Sequence, residues 1–134
     1  MKPSMLDTDI LSEFLRGNPK VALNVDKHLT EYGFISLSII TYYEILNGLL
    51  YKDARKQLMK FEKFVELNKV IPLTLRMAKT AAFIQADLRK KGLEIGHTDT
   101  LIAGIAIISG FQLVTNNTVH FQRINALDIT NWTE

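Results

Sequence analysis

Three carboxylates of this chain stand in or against apolar segments, and any fold that buries the segments must also place the charge. Asp7 follows the apolar pair Met5 and Leu6. Glu44 is the only charged residue between Glu31 and Lys52, inside Ser-Ile-Ile-Thr-Tyr-Tyr-Glu-Ile-Leu-Asn-Gly (38–48). Asp99 is the only one between Glu94 and Arg123, at the head of Thr-Asp-Thr-Leu-Ile-Ala-Gly (98–104). An ionised carboxylate buried alone costs several kcal/mol or more. Acids placed this way imply that folding gathers them around something cationic, and a hard metal ion is the simplest candidate.

The chain has 134 residues, of which 47% are hydrophobic, and we expect one domain over 1–134 with a real core. There is no cysteine. Disulfide frameworks, zinc–thiolate sites and thiol nucleophiles are thereby excluded, and a cytoplasmic location is the expectation. Acids at 7 and 9 interrupt any secretory leader. The longest apolar stretch, Leu101 to Val114, is too short for a membrane span, so no membrane partner is expected. Net charge is only +2, which does not announce a nucleic-acid binder. Lysines and arginines still cluster at Lys52, Arg55, Lys56, Lys60 and Lys63, and at Arg89, Lys90 and Lys91. Such clusters are solvated helix faces or surfaces that hold phosphates.

Strand and helix signals alternate. A short strand ends near Leu6 and a helix runs from about Asp9 to Arg16, broken by Gly17-Asn18-Pro19. A second helix spans about Pro19 to Glu31 and stops at Gly33. Residues 34–37 read as a strand, and Ser38 as the N-cap of a helix reaching about Leu50. Further helices are expected over about 53–68, from Thr74 to Lys91, and from about Thr98 to Gly110. Strands are expected at 70–73, 111–115 and 127–129. This order predicts an α/β fold: a three-layer α/β/α sandwich around a mostly parallel sheet of four to five strands.

On that plan Asp7 follows the first strand, and Asn116 and Asn117 follow the strand ending at Thr115. Ligands of open parallel sheets bind beyond the carboxyl ends of the strands. Asp99 lies in the first turn of its helix and Glu44 about two turns into another, so all four elements can reach one sheet edge. Two Asp, one Glu and an amide form an oxygen-only set, suited to Mg²⁺ or Mn²⁺. Each residue also has a plainer reading. Asp7 and Asp9 can cap a helix, Asp99 can complement a helix dipole, and Glu44 can lie on an exposed face. His97 and His120 read as loop histidines bonded to backbone, and His28 as a helix-surface residue. Trp132 reads as a packing anchor, and Phe61, Phe64 and Phe83 as core. No Gly-rich phosphate loop or Gly-x-Ser-x-Gly elbow is present.

Residues 6–12 (Leu-Asp-Thr-Asp-Ile-Leu-Ser), 38–48, 95–104 (Ile-Gly-His-Thr-Asp-Thr-Leu-Ile-Ala-Gly) and 113–121 (Leu-Val-Thr-Asn-Asn-Thr-Val-His-Phe) together resemble the PIN domain, and more narrowly VapC-type toxins of toxin–antitoxin pairs. The resemblance implies a Mg²⁺- or Mn²⁺-dependent endoribonuclease, inhibited by a cognate VapB-type antitoxin, often a homodimer. Its implied targets are structured transfer or ribosomal RNAs, and its products a 5′-phosphate and a 3′-hydroxyl. By motif the catalytic set is Asp7, Glu44, Asp99 and Asn117, with Asp7 and Asp99 as direct metal ligands. Asn117 stands where many members keep a fourth acid. Asp9 stands where the family often has Asn, and Thr115 is similar to a supporting hydroxyl residue. Arg16, Lys52, Arg55 and Arg89 are candidate phosphate contacts, and an antitoxin arginine can enter the acidic cluster as a bidentate fork. Two other readings remain at this level. One is a PIN-like module that binds RNA or antitoxin but has lost catalysis at Asn117. The other is a phosphatase using Asp7-x-Asp9, similar to the haloacid-dehalogenase type.

Overall fold

The computed structural model describes all residues 1–134. Its five strands are β1 (Ser4–Leu6), β2 (Ser36–Ser38), β3 (Lys69–Ile71), β4 (Gln112–Val114) and β5 (Ile129–Thr130). They form one all-parallel sheet in the order β3-β2-β1-β4-β5. The helices are α1 (Thr8–Leu15), α2 (Pro19–Tyr32), α3 (Ile39–Tyr51), α4 (Arg55–Leu67), α5 (Leu75–Lys90), α6 (His97–Ser109) and α7 (Thr118–Phe121). None is long and apolar enough to cross a membrane.

Period-two alternation in the strands creates the three layers. Leu6, Leu37 and Val114 point to one face, into a core shared with Ile10, Leu11 and Phe61. Met5 and Leu113 point to the other, against Met77, Ile102, Ile105 and Phe121. Register aligns these side chains: Met5 sits opposite Leu113, and Leu6 opposite Val114. The inner parts of β1 and β4 are therefore dry on both faces, with Met5, Leu6, Leu113 and Val114 all fully buried. Phe61 and Phe64 are core residues, as expected, whereas Phe83 is 69% exposed.

Most element boundaries follow local chemistry. Asn18 caps α2 with Pro19 at its first position, and Gly33 closes it at φ +82°. Ser38 caps α3 by accepting from the Thr41 N–H, and Thr74 caps α5 by accepting from Met77. β4 and β5 are shorter than or shifted from the expected 111–115 and 127–129, at Gln112–Val114 and Ile129–Thr130, and three further differences have local causes. β3 ends at Ile71 because Pro72 has no N–H to extend the ladder. α4 starts at Arg55 rather than Asp53, because Asp53 adopts φ +52° and breaks the chain between α3 and α4. The single turn α7 was too short for a periodic pattern to reveal.

His28 is buried, not on the helix surface. Its Nε2 accepts the Ser4 N–H at 3.0 Å, and its Nδ1 lies 3.0 Å from the Phe34 carbonyl oxygen, to which it donates. The ring thus ties β1 and the strand entry at Phe34 to α2, in a neutral tautomer whose two nitrogens have opposite roles. Burial holds its pKa below the ordinary 6.5. A depressed folded-state pKa contributes stability that is present above about 6.5 and lost as pH falls through the folded value. Acidification from about pH 7 to about pH 5 should therefore lower the melting temperature more in the natural protein than in His28→Gln. Equal acid responses would remove this role.

Candidate active site

β1 is flanked by β2 on one side and β4 on the other, so chain direction across the sheet reverses between β1 and β4. A crevice opens at such a point beyond the strand ends. The first residue past β1 is Asp7, and the first past β4 is Thr115. Asp7 is both helix cap and site residue. Its Oδ1 accepts the Thr8 N–H at 2.8 Å and its Oδ2 accepts the Thr115 hydroxyl at 2.8 Å. The Asp7 N–H also donates to the Val114 carbonyl at 2.9 Å, which continues the β1–β4 ladder into the site. Thr115 is fully buried and Asp7 is 5% exposed. Burial first, then the Asp9 charge, push the Asp7 carboxyl up to about 7, while the two hydrogen bonds work in the opposite direction.

The other acids come from three helices. Asp9, one position into α1, accepts the Asn116 N–H on Oδ2 at 3.0 Å. Its Oδ1 is buried with no hydrogen-bond partner, and burial raises its pKa. Glu44 from α3 accepts from Thr8 Oγ1 at 2.7 Å, and the same hydroxyl lies 3.1 Å from Thr41 Oγ1. Glu44 is half-buried rather than on an open face. Asp99 from α6 accepts from the Asn117 side-chain amide at 3.4 Å. Its pKa is raised by burial first, then by the charge of Glu44, with a smaller contribution from Asp9. The acids therefore lie within one another's fields, and three separate elements deliver them to one sheet edge.

Asn117 links the cluster to a residue that sequence reasoning set aside. Its amide nitrogen also lies 3.1 Å from His120 Nδ1 on α7, to which it donates. His120 is thus a side-chain partner of Asn117 rather than a loop histidine bonded to backbone. The backbone N–H of Asn117 donates to Thr115 Oγ1 at 3.0 Å, so one hydroxyl connects Asp7 to the Asn117 turn. Thr8 was likewise not singled out, though it fixes Glu44. Its only signal is a hydroxyl directly after the candidate ligand Asp7. His97 opens α6 and is exposed, and its backbone carbonyl accepts from Thr100.

The candidate phosphate contacts separate into groups. Arg16 and Lys52 line the cleft that also contains Thr8 and Glu44. Arg55 instead pairs with Asp53 at 3.2 Å in full solvent. Arg89 lines a larger hollow of about 640 Å³ between α5 and α6, which contains none of the clustered acids. Volume alone would favour that hollow, but the perturbed carboxyls are elsewhere, and they mark the chemistry.

The donor set suits a hard divalent cation. It consists of carboxylate, amide and hydroxyl oxygens, one buried carboxylate oxygen lacks any donor, and like charges raise one another's pKa. No three His, Cys, Asp or Glu side chains are drawn together tightly enough to cage an ion alone. Mg²⁺ does not require a cage, since it keeps several waters and takes one or two carboxylates.

Residues 4–127 match the PIN domain family. The chain is 31% identical over 129 residues to Ribonuclease VapC2 of Rickettsia felis, covering 96% of each. It is 30% identical over 129 residues to the tRNA(fMet)-specific endonuclease VapC of Shigella flexneri, again covering 96% of each. Among solved structures, DNA-bound VapBC from Salmonella typhimurium superimposes with a TM-score of 0.88 at 28% identity, over 98% of this chain and 99% of that one.

Proposed function

This chain belongs to the PIN domain family, and from that premise we propose that it is an endoribonuclease of the VapC kind, the toxin of a toxin–antitoxin pair. The observation that carries the reading is that Asp7 and Glu44 each lie within reach of the Asp99 charge near the β1–β4 switch point, with the Asp7 carboxyl held up to about 7 by burial. Such a cluster costs stability unless a cation joins it, and its position is where an α/β sheet binds ligands. The names of the relatives from Rickettsia felis and Shigella flexneri supply the reaction class, RNA cleavage. The VapBC structure supplies the partner class, a VapB-type antitoxin.

Asp7 and Asp99 would hold a divalent ion, Mg²⁺ or Mn²⁺. When bound, the ion polarises the scissile phosphate and lowers the pKa of water. Glu44, fixed by Thr8, orients the attacking water and accepts its proton. Thr115 keeps Asp7 in place through its hydroxyl. Asn117, anchored by its backbone N–H on Thr115 and shared between Asp99 and His120, presents an amide toward the phosphate. Water adds to phosphorus as the bond to the 3′ oxygen breaks, and the departing oxygen takes a proton from solvent, leaving a 5′-phosphate and a 3′-hydroxyl. Structured transfer or ribosomal RNA is the substrate class, in a cytoplasmic homodimer.

The test is incubation of the purified protein with total RNA, with and without Mn²⁺. We expect discrete fragments with Mn²⁺, none with a chelator, and none from Asp99→Asn with either. Tight RNA binding without cleavage under Mn²⁺ would identify a module that has lost catalysis. Cleavage by Asp99→Asn at the natural rate would defeat the assignment.

A further inference from the structure

We infer that the cleft between α1, α3 and α4 seats the phosphate next to the scissile one, with Arg16 and Lys52 as its two cationic walls. The inference rests on the ribonuclease reading and names where the strand leaves the site. The cleft holds about 100 Å³, room for a phosphodiester group. One end is formed by Thr8 and Glu44, so the cleft opens directly from the acid cluster. At the other end are Arg16, the C-terminal cap of α1, and Lys52, the C-terminal cap of α3. Cations suit helix C-termini, and here two such ends flank one hollow. Lys52 has no ion-pair partner. Arg16 lies 2.6 Å from Glu13 Oε1 but remains 55% exposed, with donors of its fork left for an incoming anion.

The floor of the cleft includes Gly48. A Cβ added there meets no atom within 4 Å, so the absent side chain keeps the cleft open rather than satisfying the backbone. A structural glycine would need a close neighbour or a positive φ, and Gly48 has neither. The acid cluster repels a polyanion, so a strand arriving there needs positive charge close by. Of the four candidate phosphate contacts, only Arg16 and Lys52 border this cleft. An acidic protein partner could use the same two cations. The continuity of the cleft with Glu44 favours the nucleic-acid strand being cut.

The experiment measures binding of bulk transfer RNA to the full chain carrying Asp99→Asn, in chelator, across a potassium chloride series. Each phosphate contact contributes about 0.7 to 0.9 to the slope of log K against log salt. Adding Arg16→Ala or Lys52→Ala should each reduce the slope by about that amount, and the pair by about twice as much. Arg89→Ala should leave the slope unchanged. Gly48→Leu carries no charge change and exchanges a poor helix former for a good one, so it should keep the melting temperature and weaken binding at least about 3-fold. Cleavage by the otherwise natural protein under Mn²⁺ is scored in parallel. If it cleaves RNA while all the slopes stay equal, the phosphate seat is wrong and the ribonuclease reading stands. If it neither binds nor cleaves RNA, both fall. Weakened binding of an acidic protein partner, with the RNA slope unaltered, assigns the cleft to that partner and overturns the inference.

Discussion

Replacing Asp7 by asparagine should abolish RNA cleavage and, in metal-free protein at about pH 8, raise the melting temperature. The two effects share one cause. A carboxyl whose pKa rises from 3.8 to about 7 on folding resists ionisation in the native state. The folded-state value lies above the unfolded one, so its contribution to stability is fully present below about pH 4 and is lost as pH rises through about 7. At pH 8 the penalty is on the order of 4 kcal/mol, at about 1.4 kcal/mol per unit. Asparagine carries no charge and caps a helix as well as aspartate does, so the bond from the Thr8 N–H survives. The loss is the Thr115 hydroxyl bond to Oδ2, which must reorganise against an NH₂ group at about 1 kcal/mol.

The balance favours asparagine by a few kcal/mol, or roughly 5 °C or more in melting temperature for a chain of this length. Activity moves the other way. On the proposed mechanism Asp7→Asn removes the negative charge that would hold the ion, and a fall of about 100-fold or more is expected. Thermal melts at about pH 5 and pH 8, with and without Mn²⁺, check the claim. The advantage of Asp7→Asn should shrink at the lower pH and when Mn²⁺ stabilises the natural protein. His28 acts in the opposite direction on acidification, so the difference between variant and natural protein is the quantity to read. A variant no more stable than the natural protein at pH 8 without metal would mean that Asp7 carries no burial penalty.

Much of this arrangement is legible before any coordinates. The Leu113-Val114 pair announces a strand dry on both faces because its consecutive positions are both apolar, and caps at Ser38, Thr74 and Asn18 mark where helices start. Asp7, Glu44 and Asp99 stand out for the complementary reason, as charges in segments with nothing local to neutralise them. What pairs with them is not legible. Thr8 meets Glu44 across 36 positions, and Thr115 meets Asp7 across 108. The first contact exists because β1 and β2 are neighbours in the sheet, the second because β1 and β4 are. His28 and His120 fail for the same reason: a histidine's role depends on what faces its two nitrogens, and that is set by tertiary packing. Phe83 shows the limit of hydrophobicity alone, since the outer face of α5 leaves it in solvent.

The second large effect lies away from the acids, at Gly104 on α6. A Cβ there would sit 2.6 Å from the Met77 carbonyl oxygen, 3.1 Å from Ala81 Cβ and 3.2 Å from the Ala81 nitrogen. All three atoms belong to α5, and two of them are backbone, which cannot swing aside as a side-chain tip can. The helices must separate, and α6 is the helix that carries Asp99. Gly104→Ala should therefore destabilise the fold by about 1–3 kcal/mol, despite a gain of up to about 1 kcal/mol in helix propensity. Gly104→Val, with two more methyl groups in the same gap, should cost more. Displacement of α6 also carries Asp99 away from the Asn117 amide, now at 3.4 Å, so residual folded protein should cleave RNA more slowly than its folded fraction predicts. Urea unfolding followed by one activity assay separates the two losses. A Gly104→Ala variant as stable as the natural protein would mean that α5 and α6 have slack to yield. In that case the tight crossing of these helices would not be what sets the position of Asp99.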